Sequence, residues 1–175
     1  LVLDELLRVQ LVLRMRKMRR LDRASGVTHK VDDPLLTEFV DGLPFTLTAA
    51  QQRTMEEISA DLNSEQPMHR LLQGDVGAGK TLVAMHALLI AITEGHQGAL
   101  MAPTEVLAEQ HYINLYELAK GLDVADPTTL TGVRPLSIKL LTNRVTGSDR
   151  RRLVRGMEAG SVDLVLGPTH LIKAG

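Results

Sequence analysis

The spacing of apolar and polar positions changes along the chain near Pro67. Before that residue, apolar side chains recur every three or four positions, which is the period of an amphipathic helix. This spacing predicts a helix over residues 3–23 and, after a linker, shorter helices at 35–41 and 49–63, the last capped by Thr48. In the first helix, Leu7, Leu11, Met15, Met18 and Leu21 form an apolar stripe, and Arg14, Arg16, Lys17, Arg19, Arg20 and Arg23 are basic.

After Pro67, short apolar runs alternate with amphipathic segments. The pattern predicts strands at 70–73, 98–102, 137–141 and 162–166, and helices at 80–94, 105–120 and 149–158. Such alternation is typical of βαβ units, so the predicted fold class is α/β, with a parallel sheet flanked by helices. Ligands of these sheets bind beyond the carboxyl ends of the strands.

A glycine-rich loop follows the first predicted strand and matches the complete phosphate-binding pattern G-x-x-x-x-G-K-[ST]. Its residues are Gly74, Asp75, Val76, Gly77, Ala78, Gly79, Lys80 and Thr81, and Leu82 follows directly. Glycines permit positive φ and let backbone N–H groups approach phosphates. Lys80 can reach the β- and γ-phosphates, and the Thr81 hydroxyl can complete a Mg²⁺ shell. The sequence therefore predicts a nucleotide site, against the alternative of a flexible glycine turn.

Composition excludes several classes of protein. The chain has no cysteine, which excludes disulfides, thiolate metal sites and thiol nucleophiles. No apolar run approaches the ~20 residues of a membrane span, and the apolar start carries Asp4 and Glu5, unlike a signal peptide. We therefore expect a soluble cytoplasmic protein. Only two phenylalanines and two tyrosines are present, which disfavours a platform of rings for base stacking.

The formal net charge of −1 conceals an uneven distribution. Residues 1–30 and 134–175 each hold eight basic and three acidic residues, whereas residues 31–133 hold four basic and fifteen acidic ones. Basic ends can follow a phosphate backbone, but from charge alone solvated helix faces are favoured. The same interpretation is favoured for Arg150, Arg151, Arg152 and Arg155, which follow the N-cap candidate Ser148 and occupy helical positions that point in different directions.

Residues 67–81, which include the phosphate loop, and the run Met101-Ala102-Pro103-Thr104-Glu105-Val106-Leu107-Ala108-Glu109-Gln110-His111 resemble motifs I and Ia of one family, the RecG-type ATP-dependent DNA helicases. Members of this family are superfamily-two motors that remodel branched DNA and stalled replication forks. Residues 43–53 are similar to the segment that holds adenine. Residues 4–10 resemble the helix that leads from the DNA-binding wedge domain into the motor.

The resemblance implies a RecA-like P-loop NTPase fold and a domain division. Residues 1–45 would be a helical linker from a missing wedge domain, and 46–175 the N-terminal part of the first motor domain. The Asp-Glu box of the family is expected after Gly175, and the arginine finger belongs to a second motor lobe. The fold is therefore expected to be incomplete at its C-terminal end, and the chain to bind ATP without turning it over.

The family also implies roles for residues of the nucleotide site. Lys80 is the catalytic candidate, and Lys80 and Thr81 would hold ATP and Mg²⁺. Gln51 would read adenine, because its amide offers a donor and an acceptor side by side; a solvent-facing glutamine is the alternative. Phe45 would lie near the base, and a core position is an alternative that is at least as well supported.

The histidines His29, His69, His86 and His96 have no ligand spacing and are interpreted as surface or core residues.

DNA contacts are implied for Pro103 and Thr104 of motif Ia, although Thr104 also suits a helix cap. Thr169 and His170 correspond to a Thr-His segment of the family, but Pro168 interrupts that match. Thr142 is a weaker candidate, because Asn143 stands where the family has glycine.

The expected partner is branched or forked DNA, with no membrane contact, and the expected state is a monomer. Two rival interpretations remain. One is a transcription-repair coupling translocase, and the other is a non-motor nucleotide-binding module.

Overall fold

The computed structural model describes residues 2–21 and 25–172. After the first three helices, the parallel strands alternate with helices as the α/β prediction requires, and two further short strands lie between the first two parallel strands. In chain order the described elements are α1 (Val2–Leu21), α2 (Pro34–Asp41), α3 (Ala49–Leu62), α4 (Lys80–Thr93), β1 (Gly98–Ala102), α5 (Glu105–Leu118), β2 (Asp123–Ala125), β3 (Val133–Pro135), β4 (Ile138–Leu140), α6 (Gly147–Glu158), β5 (Leu164–Pro168) and α7 (Thr169–Ile172).

A parallel sheet of order β1-β5-β4 forms the centre of the described fold. Leu164 pairs with Gly98 on one side and with Ile138 on the other, and Pro168 ends the ladder opposite Ala102. All five residues of β5 are buried, as expected for the middle strand of a parallel sheet that is covered on both faces. The predicted α/β class with a parallel sheet is confirmed.

Helix α4 connects the sheet to the helices that precede it. It packs against α2, α3, α5 and β1. Met85, Leu89 and Ile90 of this helix are fully buried, together with Leu164 and Leu166 of the middle strand. Because the first turn of α4 follows the phosphate loop directly, burial of the helix on several sides holds that loop in a defined position.

The segment 70–73 is not a strand, so this prediction is wrong. Leu71 is 83% exposed, and the segment makes no ladder hydrogen bond within the described residues. A strand needs a neighbouring strand for its N–H and C=O groups, and the described sheet places none beside it. Ion pairs of Arg70 with Glu57 and Asp61 tie the segment to α3 instead.

A small antiparallel hairpin of β2 and β3, not predicted from the sequence, lies at the amino ends of the parallel strands, with Val124 opposite Arg134. Arg134 makes a bidentate ion pair with Asp163 at 2.6 and 2.8 Å and also contacts Asp126 at 3.1 Å. The same Asp163 carboxylate accepts the N–H of Ser137 at 2.7 Å. These bonds fasten the hairpin to the start of β5.

The first helix is present, but its predicted apolar stripe is not buried: Leu7, Leu11 and Met15 are all about half exposed. Some predicted positions lie outside the described side chains: Arg16, Lys17, Met18, Arg19, Arg20, Leu21 and Arg23. The linker after it packs on α3 and its C-terminal turn through Gly26 N–H to Glu65 C=O and His29 N–H to Leu62 C=O. Among residues 2–21 and 25–172, no helix is long and apolar enough to cross a bilayer.

Candidate nucleotide and DNA site

The phosphate loop has the backbone that its glycines predict. Gly77 and Gly79 adopt φ of 85° and 81°, a region that residues with a Cβ avoid. Gly79 is the N-cap residue of α4, and its backbone lies in the left-handed region. No side chain caps this helix. The N–H groups of the first turn are therefore free of a side-chain acceptor, and the helix dipole adds partial positive charge there, as an anion site requires.

Lys80 brings its ammonium group back over the loop. Its Nζ donates hydrogen bonds to the carbonyl oxygens of Gly74 and Asp75, each at 2.7 Å. The turn beneath it is closed by Ala78 N–H to Asp75 C=O at 3.2 Å. The positive charge is thus held next to the uncapped helix start, so that both features attract the same anion.

Gln51 lies against the phosphate loop. Its Nε2 donates to the carbonyl of Ala78 at 3.0 Å, and its Oε1 accepts from Thr48 N–H at 2.9 Å within a capping box. Thr48 is thus the N-cap of α3, as predicted. The contact is tight, because a Cβ built on Gly79 would lie 2.4 Å from Nε2. Gln51 is half-buried, with both ends of its amide hydrogen-bonded to the protein, and its contact with adenine remains a prediction.

A cavity of about 970 Å³ opens beside the loop and is lined by Gly77, Gly79, Lys80 and Thr81, together with Phe45 and His111 among others. This volume is at the upper end of the range for small-molecule sites. Phe45 is 50% exposed, so the core alternative for this ring is wrong. Its position at the cavity leaves it available to a base.

One predicted site residue, Leu82, has no free polar group to offer a ligand. The Leu82 side chain is buried in the core, and its N–H donates to the Gly79 carbonyl at 3.0 Å. Among the cavity residues, Thr81 and His111 approach each other, with Thr81 Oγ1 3.5 Å from His111 Nδ1. His111 is the last residue of the motif Ia segment, but no pattern in the neighbouring sequence predicts its contact with Thr81.

The carboxyl ends of the three parallel strands gather the predicted DNA residues at one edge, which we call the carboxyl edge: residues 103–104, 142–143 and 169–170. Thr104 caps α5 by accepting Leu107 N–H at 3.3 Å, as the structural alternative predicted. Glu105 accepts the Asn143 N–H at 3.0 Å, and the Thr169 hydroxyl donates to Ala102 C=O at 3.3 Å. These bonds join the three segments into one surface.

The residues of the carboxyl edge differ in how far their side chains are exposed to solvent. Pro103, Thr104, Asn143 and His170 are exposed, whereas Thr142 is buried and the Thr169 hydroxyl is partly buried in its bond to Ala102. The Thr142 side chain is therefore poorly placed for a DNA contact. Pro168, which interrupts the sequence match, is the buried last residue of β5, so it is accommodated at the end of the strand.

The model of the DEAD/DEAH box helicase family matches residues 48–170 of the chain. The chain belongs to the DEAD/DEAH box helicase family.

Relatives of this helicase domain include the ATP-dependent DNA helicase RecG of Bacillus subtilis, 41% identical over 172 residues, and that of Synechocystis sp., 40% identical over 173 residues. The alignments cover 98% and 99% of the chain but 24% and 19% of those proteins, so the chain spans about a quarter or less of their length. A structure of RecG bound to a three-way DNA junction matches with a TM-score of 0.79 and 36% identity, over 91% of the chain and 20% of that protein. The resemblance to RecG-type helicases and the RecA-like fold are confirmed.

The helicase domain also carries a basic groove away from the loop. Arg151, Arg152 and Arg155 line one concavity of about 330 Å³ together with Ser148. The expectation that these side chains diverge is therefore wrong for three of the four arginines. Helix α6 begins at Gly147 with Thr146 as its N-cap residue, not Ser148.

Proposed function

We propose that this chain is the nucleotide-binding part of the first motor lobe of an ATP-dependent DNA helicase that acts on branched or forked DNA. The observation that carries the proposal is the loop backbone, in which positive φ at Gly77 and Gly79 leads into an uncapped helix beneath the Lys80 ammonium. The family match and the relatives named as RecG helicases support the choice of a motor over an isolated nucleotide-binding module.

The loop residues fit ATP with Mg²⁺. Lys80 would bind the β- and γ-phosphates, the first-turn N–H groups of α4 would add further donors, and the Thr81 hydroxyl would hold Mg²⁺. Within the described residues, no group of three or more His, Asp or Glu side chains forms a metal site by itself. Mg²⁺ would therefore enter with the nucleotide and would neutralise charge on the phosphates when bound.

The remaining roles follow the family. Gln51 and Phe45 would contact adenine, and Pro103 with Thr104 would contact a DNA phosphate, with Thr169 and His170 further along the same carboxyl edge. Hydrolysis also needs an acid that holds Mg²⁺ and an arginine that meets the developing charge. No Asp-Glu box follows Thr169 and His170 within the 175 residues, so we propose that this chain by itself binds ATP and does not turn it over.

Nucleotide binding can be tested with the fluorescent analogue mant-ATP. We expect Lys80→Ala to weaken binding at least tenfold, because a hydrogen bond to a charged group contributes about 1.5–3 kcal/mol. Lys139→Ala is the matched control, since this exposed lysine on β4 does not line the cavity. Equal affinity of K80A and K139A would contradict the proposal.

Turnover is tested by phosphate release from ATP in the presence of a three-way DNA junction. We expect no steady-state release above the level of K80A. Robust, DNA-stimulated release that K80A abolishes would show that the 175 residues contain a complete hydrolytic site.

DNA contact at Thr104 is tested with two substitutions that both preserve a helix cap. Asp and Asn are each good N-cap residues, but only Asp places a negative charge against a DNA phosphate. We expect Thr104→Asp to weaken binding of a labelled three-way junction by more than Thr104→Asn does. Identical binding by the two variants would remove Thr104 from the DNA contact, and no junction binding by the unmodified chain would favour the non-motor module.

A further inference from the structure

Thr81 and His111 meet across two helices that pack against each other. Thr81 lies in the first turn of α4, His111 lies in the middle of α5, and both side chains are half-buried at the wall of the same cavity. The distance from Thr81 Oγ1 to His111 Nδ1 is 3.5 Å. Hydrogen bonds at catalytic sites are often long before ligands bind and shorten in the complex.

The Thr81 hydroxyl can offer a lone pair to Mg²⁺ and donate a hydrogen bond at the same time. The hydroxyl has one proton and two lone pairs. When Thr81 offers a lone pair to Mg²⁺, its proton has to point elsewhere, toward an acceptor. Among the described residues, the side-chain atom within hydrogen-bonding distance of this hydroxyl is His111 Nδ1. An imidazole with its proton on Nε2 accepts at Nδ1 and would turn the Thr81 lone pair toward the cavity.

We propose that His111 is a positioning residue for Mg²⁺: its Nδ1 accepts a hydrogen bond from the Thr81 hydroxyl and so orients the oxygen that would bind the metal. The inference rests on the proposed function, because it assumes that nucleotide and Mg²⁺ bind at the phosphate loop. It assigns His111 a role in metal affinity that is separate from contact with the nucleotide. Partners that orient a metal-binding group typically change metal affinity 10- to 100-fold when they are removed.

The test uses two substitutions of the 175-residue chain. His111→Asn keeps an acceptor on Cγ, because Asn Oδ1 occupies the position of Nδ1, whereas His111→Leu keeps volume and removes the acceptor. The dissociation constant of mant-ATP is measured for each chain with excess Mg²⁺ and with excess EDTA. Circular dichroism and thermal melting confirm that the variants are folded.

We expect Mg²⁺ to tighten mant-ATP binding by the unmodified chain and this gain to fall roughly tenfold in H111L. The gain is the ratio of the EDTA to the Mg²⁺ dissociation constant within each chain, so that a change in metal-free affinity does not enter it, and H111N should recover most of the gain. An H111L gain equal to that of the unmodified chain, an H111N gain as low as that of H111L, or no effect of Mg²⁺ on the unmodified chain would overturn the inference. Failure of the unmodified chain to bind mant-ATP in either buffer would contradict the proposed function itself, and the inference with it.

Discussion

The side-chain amide of Gln51 donates a hydrogen bond from Nε2 to the carbonyl of Ala78 at 3.0 Å, across 27 positions of sequence. The other end of the amide closes the capping box of α3 by accepting from Thr48 N–H at 2.9 Å. A single side chain thus joins the start of α3 to the phosphate loop. Because the two polar atoms of the amide make separate hydrogen bonds, a single substitution can remove one bond and keep the other.

Gln51→Glu should separate these two tasks. Glutamate serves a capping box as well as glutamine does, so α3 should stay intact, but the donor to Ala78 is replaced by a negative charge beside the loop. We expect mant-ATP binding to weaken at least tenfold with little change in the melting temperature. If Gln51 also reads adenine, ATP should lose more affinity than GTP. Unchanged affinity for both nucleotides would show that the hydrogen bond from Gln51 to Ala78 does not contribute to nucleotide binding.

Two loop glycines should respond differently to alanine. Both have positive φ, which costs a residue with a Cβ about 1–2 kcal/mol. At Gly77 the new methyl group would meet open space, whereas at Gly79 it would lie 2.4 Å from Gln51 Nε2. We therefore expect Gly79→Ala to reduce mant-ATP affinity and the free energy of unfolding more than Gly77→Ala. The measurements are urea denaturation and nucleotide titration, and a reversed order would contradict the described loop.

The ion pair of Arg134 and Asp163 should contribute to stability. The Asp163 side chain is 9% exposed and that of Arg134 is 21% exposed, so removing one partner leaves a charge that is largely buried. We expect Arg134→Met to lower the free energy of unfolding by about 3 kcal/mol. The control is Arg144→Ala, which breaks an exposed pair with Glu109 and should cost less than about 1 kcal/mol. Similar losses in both variants would indicate that the buried pair has no special role.

Acid should destabilise the fold through His86. Burial lowers the pKa of His86 from its ordinary value of 6.5, and its Nε2 lies 3.1 Å from Ser59 Oγ. As the pH falls below about 6.5, the unfolded chain takes up a proton before the folded chain does, so the free energy of unfolding decreases until the folded pKa is passed. Well above the unfolded pKa, the imidazole is neutral in both states and has little effect on the pH dependence of stability.

Urea denaturation at pH 7.5 and pH 5.5 tests this prediction with His86→Gln, in which an amide can reach the position of Nε2. The loss of stability between the two pH values should be smaller in H86Q than in the unmodified chain. His69→Gln is the control, because His69 is exposed and its replacement should leave the loss unchanged. An equal loss in all three chains would exclude His86 as a source of the acid sensitivity.

Features that depend on neighbouring positions were predictable. The Thr48 capping box, the bounds of α4 and β1, and the positive φ of Gly77 and Gly79 follow from residues within a few positions of one another. The order of alternating elements also indicated the parallel sheet. The carboxyl edge followed from that order, because parallel strands end at the same side.

Features that depend on distant partners were not predictable. Residues 70–73 have the composition of a strand, yet no described strand lies beside them, and ion pairs with α3 hold them instead. The β2–β3 hairpin consists of two three-residue strands, too short to show an alternating pattern. Phe45 is apolar in sequence but exposed at the cavity, because the core is filled by residues from other elements.

The sequence by itself determined the phosphate loop, the Thr48 and Thr104 helix caps and the α/β order, since backbone freedom and capping act over one helical turn. Only the tertiary structure brought Gln51 to Ala78, His111 to Thr81 and Arg134 to Asp163, which lie about 30 positions apart. The physical reason is that packing of α3, α4, α5 and the sheet decides which polar groups meet, and no local pattern of residues records that packing.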